Sequence, residues 1–144
     1  MEILRTEGYW DMLNELGNQN RIFLPQAVAD EITKTDDELS QWLSTSKIPI
    51  QTINESIALA LRSIYAANPD HKLLVDNTRQ RSLADPWLIA HAINDNACVV
   101  TKENLETAAN SKRIKIPNVC NNMGVRWIND FQFVEELNLR FFVK

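Results

Sequence analysis

The sequence predicts an α/β protein with a mostly parallel sheet, and two observations carry this prediction. The stretch Ser82–Thr101 reads as an apolar helix that leads directly into an apolar strand. Segments with helical spacing also alternate with short β-type runs along the chain, which is typical of parallel strands joined by right-handed helical crossovers. In such sheets, ligands bind at the carboxyl ends of the strands. We therefore expect the chemistry of this protein near Thr101.

The elements of the first half follow from apolar spacing and from the positions of glycine and proline. In order, they are a helix Tyr9–Leu16 ended by Gly17, a strand Arg21–Leu24, a helix Pro25–Lys34, a short helix Asp37–Leu43, an extended connector or edge strand Ile48–Ile50, and a helix Thr52–Ala67. The last of these has the clearest amphipathic pattern in the chain.

The second half contains the helix–strand stretch and a series of short elements. The first elements are a short helix and loop His71–Leu83, a helix with Asp85 as N-cap and Pro86 as its first residue, a break at Asn94–Asn96 and a strand Ala97–Thr101 covered on both faces. Next come a helical turn Asn104–Asn110, a basic extended segment Lys112–Pro117 and a turn Val119–Met123 ended by Gly124. The last elements are a strand Val125–Ile128, a helix Asp130–Leu137 and an edge strand Arg140–Val143.

Size and composition limit the class of protein. The 144 residues suit one domain, 1–144, and the net charge of −4 weakens a nucleic-acid partner without excluding it, because local patches matter more than the sum. Cys98 and Cys120 form no C-x-x-C pair, so a disulfide framework or structural zinc site is not expected. We predict a cytoplasmic protein with no membrane partner, since no apolar stretch is long enough to span a bilayer.

Three carboxylates stand out by position, although each has an ordinary structural explanation. Glu31 lies within the helix after the first strand, where a solvated side chain is the usual case. Asp85 precedes a proline as a helix cap often does, and Glu103 follows the buried strand as a loop acid often does. Taken one at a time, these positions do not indicate a site.

Taken together, the three acids predict a metal site. Carboxylates in one cleft repel each other unless a divalent cation binds them, and oxygen ligands without Cys or His favour Mg²⁺ or Mn²⁺. Such a cation activates water for hydrolysis of a phosphate ester. Thr101 could orient the water or a ligand, although a threonine ending a strand is more often a plain β-former. His91 is more simply a core histidine than a base.

Basic residues near the predicted cleft provide a phosphate-binding surface in this interpretation, or else an ordinary solvated surface. If they surround the acids, they would hold phosphates on either side of the cut. They are Arg79, Arg81, Lys102, Lys112, Arg113 and Lys115.

Several motifs resemble those of PIN-domain proteins. They are Val28-x-x-Glu31-Ile32, Ala84-Asp85-Pro86-Trp87-Leu88-Ile89-Ala90 and Val99-Val100-Thr101-Lys102-Glu103. A further stretch, Lys115–Cys120 with Gly124-Val125, resembles one PIN-like branch long described as a domain of unknown function. The similarity extends over nearly the whole chain from Tyr9 onward.

The resemblance implies a three-layer α/β/α fold and an Mg²⁺- or Mn²⁺-dependent endoribonuclease that acts as the toxin of a toxin–antitoxin pair. By motif, Glu31 and Asp85 match the second and third family acids, and Glu103 follows Thr101 where an acid, more often Asp, is usual. These three residues would ligate the metal, and Thr101 would support the water or a ligand. Asn118 stands where the branch often has Asp.

One departure from the PIN pattern concerns the N-terminus. PIN domains open with a strand that ends in Asp, whereas this chain begins close to the first family helix, and neither Glu2 nor Glu7 follows an apolar strand. We therefore expect an N-terminally incomplete domain. The start is an internal Met of a longer protein, the chain is a degenerate remnant, or another chain supplies the strand. A sheet lacking that strand favours a homodimer or another partner.

Two functions follow from these observations. The first is a metal-dependent endoribonuclease with an RNA substrate and an antitoxin partner. The alternative is a catalytically impaired PIN-like module that binds an antitoxin or a second copy of itself. The missing first acid favours the module, and the presence of the other three acids favours the enzyme.

Overall fold

A computed structural model describes residues 7–34, 38–74, 84–103, 105, 114–129 and 131–133. The chain divides into two compact units, one formed by Met1–Thr52 with Leu139–Lys144 and the other by Ile53–Asn138. Their described elements are mixed α/β, which confirms the predicted class, and every strand pair among them is parallel. The three-layer arrangement and the single domain remain predictions.

The first unit contains three helices and one pair of strands in its described part. The elements are α1 (Glu7–Asn18), β1 (Leu24–Pro25), α2 (Gln26–Thr33), α3 (Glu38–Thr45) and β2 (Ile50–Gln51). β1 and β2 pair in parallel, with Leu24 opposite Ile50. The observed strand begins at Leu24, later than the predicted strand Arg21–Leu24. The segment Ile48–Ile50 contributes its last residue to β2, as its edge-strand interpretation predicted.

The prediction that Gly17 ends α1 is wrong. The helix continues to Asn18, and a Cβ atom on Gly17 would lie 2.6 Å from Cα of Ile48, so glycine is required here for close packing. The chain turns instead at Asn20, whose φ of 59° is in the left-handed region that Asn tolerates. The N–H of Arg21 then donates to the carbonyl of Leu16 at 2.9 Å, which satisfies a helix-end acceptor.

The second unit contains α4 (Glu55–Ala67), a 3₁₀ helix (Pro69–Leu74), α5 (Asp85–Asp95), β3 (Val99–Val100), α6 (Ile116–Met123) and β4 (Trp127–Ile128), and residues 131–133 are also helical. Helix α4 begins later than predicted because the side chain of Asn54 accepts a hydrogen bond from the N–H of Ile57 at 3.0 Å and so acts as the N-cap.

The core of the second unit lies between α4, α5, α6 and β3. Its fully buried side chains include Ile57 and Ile64 of α4, Ile89 of α5 and Val119 of α6. Most of α5 is enclosed, as its apolar composition predicted, and only its last turn is exposed. The helix ends at Asn96 in the left-handed conformation (φ 51°), which confirms the predicted break.

Strand β3 is shorter and less buried than predicted. It pairs in parallel with β4, and the N–H groups of Val99 and Thr101 donate to the carbonyls of Arg126 and Ile128. Val99 is 3% exposed, whereas Val100 is 40% exposed. The expectation of burial on both faces is therefore wrong at Val100, because alternate residues of a strand point to opposite faces.

One predicted segment differs in conformation from the structure, and others lie outside the described residues. Ile116 and Pro117, which we predicted to be extended, form the first turn of α6, and Gly124 ends this helix with φ 69° as predicted. The helix at Asp130–Leu137 is described only for 131–133. Three further predicted segments lie mainly or wholly outside the described ranges. They are the edge strand Arg140–Val143, the turn Asn104–Asn110 and the short helix and loop His71–Leu83. No helix in the described part is both long and apolar enough to cross a membrane.

Candidate functional site

The candidate site lies in the second unit, at the carboxyl ends of β3 and β4. Helix α5 packs on β3 and joins it through the three residues after Asp95, so the two elements run in opposite directions. From this connection we infer that the N-terminus of α5 lies at the same edge as the carboxyl end of β3. A hydrogen bond from Ile116 to Glu103 brings the N-terminus of α6 to this edge as well. We call this region the carboxyl edge.

Asp85 is the first residue of α5 and is half-buried at the carboxyl edge. The prediction that it is the N-cap is wrong by one residue, because the carbonyl of Ala84 accepts the hydrogen bond from the N–H of Leu88 at 2.9 Å. Pro86 consequently occupies the second helical position, where its missing N–H still costs no intrahelical bond. The negative charge of Asp85 interacts favourably with the positive end of the helix dipole.

Glu103 is also half-buried, and two hydrogen bonds orient it. Its Oε2 atom accepts a hydrogen bond from the backbone N–H of Ile116 at 2.9 Å, which caps the first turn of α6. Its own backbone N–H donates to Oγ1 of Thr101 at 3.1 Å. The hydroxyl of Thr101 thus holds the backbone of Glu103 in a turn directly after the strand. Thr101 is therefore a positioning residue for this carboxylate.

The basic residues of the prediction are only partly described. Lys102 is exposed beside Glu103, and Lys115 is half-buried at the residue before α6, so both lie at the carboxyl edge. The N–H of Lys115 donates to Oδ1 of Asn118 at 3.2 Å, which gives Asn118 a capping role. The other four, Arg79, Arg81, Lys112 and Arg113, lie outside the described residues.

Glu31 belongs to the first unit, where it is half-buried in the last turn of α2. Its neighbour Ala29 is the buried residue of this helix, and Val28 and Ile32 are half-buried. The structure thus joins Thr101 and Glu103 by a hydrogen bond, describes Asp85 at the start of α5 in the same unit, and describes Glu31 within the first unit.

No group of three or more His, Cys, Asp or Glu side chains within the described ranges is arranged to hold a metal ion. The two acids of the carboxyl edge, Asp85 and Glu103, supply hard oxygen donors of the type that Mg²⁺ and Mn²⁺ prefer. The hydrogen bond from Ile116 occupies one lone pair of Glu103, and a carboxylate has about four. Ligating carboxylates are usually oriented by such hydrogen bonds. The donor chemistry of this edge therefore fits the predicted cations.

Two histidines are fully buried in the second unit, and sequence reasoning identified only one of them as a core residue. His91 is 0% exposed in α5, which confirms the prediction, and burial lowers its pKa while Asp95 partly opposes this shift. His71 was missed. Its Nδ1–H donates to the carbonyl of Ile64 at 2.7 Å, and its Nε2 accepts from the amide of Asn122 at 3.0 Å. No local sequence signal predicts a contact across 51 positions.

A family model described as "Domain of unknown function (DUF4411)" matches residues 2–141. The chain belongs to the DUF4411 family. The description of this family gives no activity. The comparisons found no match among curated proteins or solved structures.

Proposed function

We propose that the protein is a PIN-like, metal-dependent endoribonuclease that acts as the toxin of a toxin–antitoxin pair. The chain order supports the proposal: Asp85 begins the helix that leads into β3, Glu103 follows that strand, and α/β proteins bind their ligands at the carboxyl ends of strands. The motif resemblance assigns the same two residues to the metal, and it adds Glu31 as a third ligand.

In this proposal Asp85 and Glu103 hold Mg²⁺ or Mn²⁺, and Glu31 is the further ligand that the motif resemblance implies. When bound, the cation supplies an activated water and stabilises negative charge on a phosphate. The half-buried positions of Asp85 and Glu103 reduce competition from bulk water and so strengthen their electrostatic attraction for a cation. Glu31 is tested separately, because its assignment depends on the motif alone.

The protein's own residues would orient the metal site and hold the substrate. Thr101 keeps Glu103 in place through the hydrogen bond from the Glu103 N–H. Lys102 adjoins Glu103 in the chain and Lys115 precedes Ile116, which donates to Glu103, and phosphates are held chiefly by such positive charges. Arg79, Arg81, Lys112 and Arg113 complete the proposed RNA-binding set. The antitoxin and a homodimer are the protein partners that we propose from the resemblance.

The alternative is a non-catalytic interaction module, and one observation favours it. The Glu103 carboxylate caps α6, so its presence has a structural explanation that needs no metal. Under this alternative, the same fold binds an antitoxin or a second copy of the chain.

Isothermal titration of Mn²⁺ into the purified protein distinguishes the two functions. The proposal predicts saturable binding that is lost in Asp85→Asn and weakened in Glu31→Gln. Asp95→Asn is the matched control, because Asp95 lies exposed at the opposite end of the same helix. We expect Asp95→Asn to bind Mn²⁺ like the unaltered protein.

Cleavage of structured RNAs is then assayed with the same proteins in Mg²⁺ or Mn²⁺. Metal-dependent cleavage that disappears in Asp85→Asn would support the enzyme. Folded protein that neither binds Mn²⁺ nor cleaves RNA would overturn it and favour the interaction module.

A further inference from the structure

The first unit contains a cavity of about 530 Å³ with an unusual combination of side chains. It is lined by Trp10 of α1 and by Glu38, Leu39 and Trp42 of α3. Cavities of this size hold small ligands or protruding side chains. The cavity lies outside the carboxyl edge, so its ligand is independent of the proposed nuclease function.

Two tryptophans form an aromatic corner in this cavity. The ring centroids of Trp10 and Trp42 lie 4.9 Å apart and the ring planes are inclined at 56°, so the rings face different directions around the same space. Both side chains are half-buried. The face of an indole ring attracts cations, and tryptophan does so more strongly than other aromatic residues.

A carboxylate completes the site. Glu38 and Trp42 are four residues apart in α3, so both side chains project from the same face of the helix. Glu38 is exposed, and Leu39 beside it is 39% exposed, which leaves apolar surface next to the negative charge. The combination of indole faces, one carboxylate and an aliphatic surface is complementary to a cation on an aliphatic stem.

We propose that this cavity binds an arginine side chain of a partner protein. A guanidinium group stacks flat on an indole ring and donates two parallel hydrogen bonds to a carboxylate, whereas an ammonium group acts as a point charge. The methylene stem of arginine would pack on Leu39. The cavity of about 530 Å³ also leaves room for the residues that flank the arginine in the partner.

The four tryptophans of the chain provide the readout. Each indole Nε1–H gives its own signal in a ¹H–¹⁵N correlation spectrum, so the position of a bound peptide is read directly. The probe is acetyl-Gly-Arg-Gly-amide, titrated into the full chain. The matched peptide contains citrulline, which has nearly the shape of arginine without its charge, and a third peptide contains lysine.

We expect saturable shifts of the Trp10 and Trp42 signals with the arginine peptide, and unchanged signals from Trp87 and Trp127. Glu38→Gln should weaken the affinity by about tenfold, because a charge-assisted hydrogen bond becomes a neutral one. This exposed, nearly isosteric change leaves the fold intact. Glu55→Gln, at the equivalent first-turn position of α4 and also exposed, should not change the affinity.

Several results would overturn the proposal. They are equal binding of the citrulline peptide, equal binding of the lysine peptide, an affinity unchanged by Glu38→Gln, shifts confined to Trp87 and Trp127, or the absence of any saturable shift.

Discussion

Oε2 of Glu103 accepts a hydrogen bond from the backbone N–H of Ile116 at 2.9 Å. This bond connects the loop after β3 to the first turn of α6, across thirteen residues of the chain. The same side chain is therefore a helix cap and a proposed metal ligand. These two roles place different demands on the carboxylate, because a cap needs only an acceptor oxygen whereas a cation also needs the negative charge.

Two substitutions of Glu103 separate these roles. Glu103→Gln keeps an acceptor oxygen and should leave the free energy of unfolding within about 0.5 kcal/mol of its original value, while Mn²⁺ affinity is lost. Glu103→Ala should lose Mn²⁺ binding and also about 1–2 kcal/mol of stability, because the N–H of Ile116 loses its partner. Urea unfolding of both variants measures the free energy of unfolding, and Mn²⁺ titration measures the metal affinity. Full Mn²⁺ affinity in Glu103→Gln would exclude Glu103 as a charged ligand.

Gly17→Ala should destabilise the first unit, although alanine is normally the better helix former by about 1 kcal/mol. The added Cβ would lie 2.6 Å from Cα of Ile48, and a backbone atom cannot move aside as a flexible side chain can. We expect a net loss of about 1–3 kcal/mol in urea unfolding, as for other overpacked sites. Ala66→Gly, at an exposed position of α4, serves as a control in which only helix propensity changes. A stabilised Gly17→Ala protein would contradict the close approach.

Burial of His91 predicts a pH dependence of stability. Because burial lowers the pKa of His91 in the folded protein, the unfolded chain binds more protons below its ordinary pKa of about 6.5. The contribution of His91 to stability is therefore fully present above this pH. It decreases as the pH falls from about 6.5 towards the folded-state pKa.

An NMR titration of the His91 ring protons tests this sign directly, with the expected midpoint below 6.5. Asp95→Asn should move the midpoint further down, because Asp95 raises this pKa against the effect of burial. A midpoint above 6.5 would show that burial does not dominate at this histidine.

The two cysteines should differ sharply in reactivity. Burial, with a smaller contribution from Cys98, raises the pKa of Cys120 to about 12, so its reactive thiolate is scarce at pH 8. Cys98 is half-buried. We expect an aromatic disulfide reagent to modify Cys98 in the native protein and both thiols in denaturant. Cys120→Ala should leave the native reaction unchanged, and rapid native modification of Cys120 would contradict the prediction.

The α/β class and much of the second unit could be predicted from local pattern. The enclosed helix α5, its end at Asn96 and the stop at Gly124 follow from residue types that act within one or two turns of themselves. The position of Asp85 at a helix terminus and the position of Glu103 after a strand follow from the same local pattern. The sequence also identified Thr101 as a supporting residue, although its role as acceptor for the Glu103 N–H needed the structure.

By itself, the sequence determined which residues are apolar, where helices break and which acids stand beside the strand that ends at Thr101, because these are local properties. Tertiary structure alone decided that α1 continues through Gly17 to pack on Ile48, and that Glu103 caps α6. It also brought Trp10 and Trp42 together around one cavity. Each of these contacts joins residues far apart in the chain, and their energies depend on atoms that no local window contains.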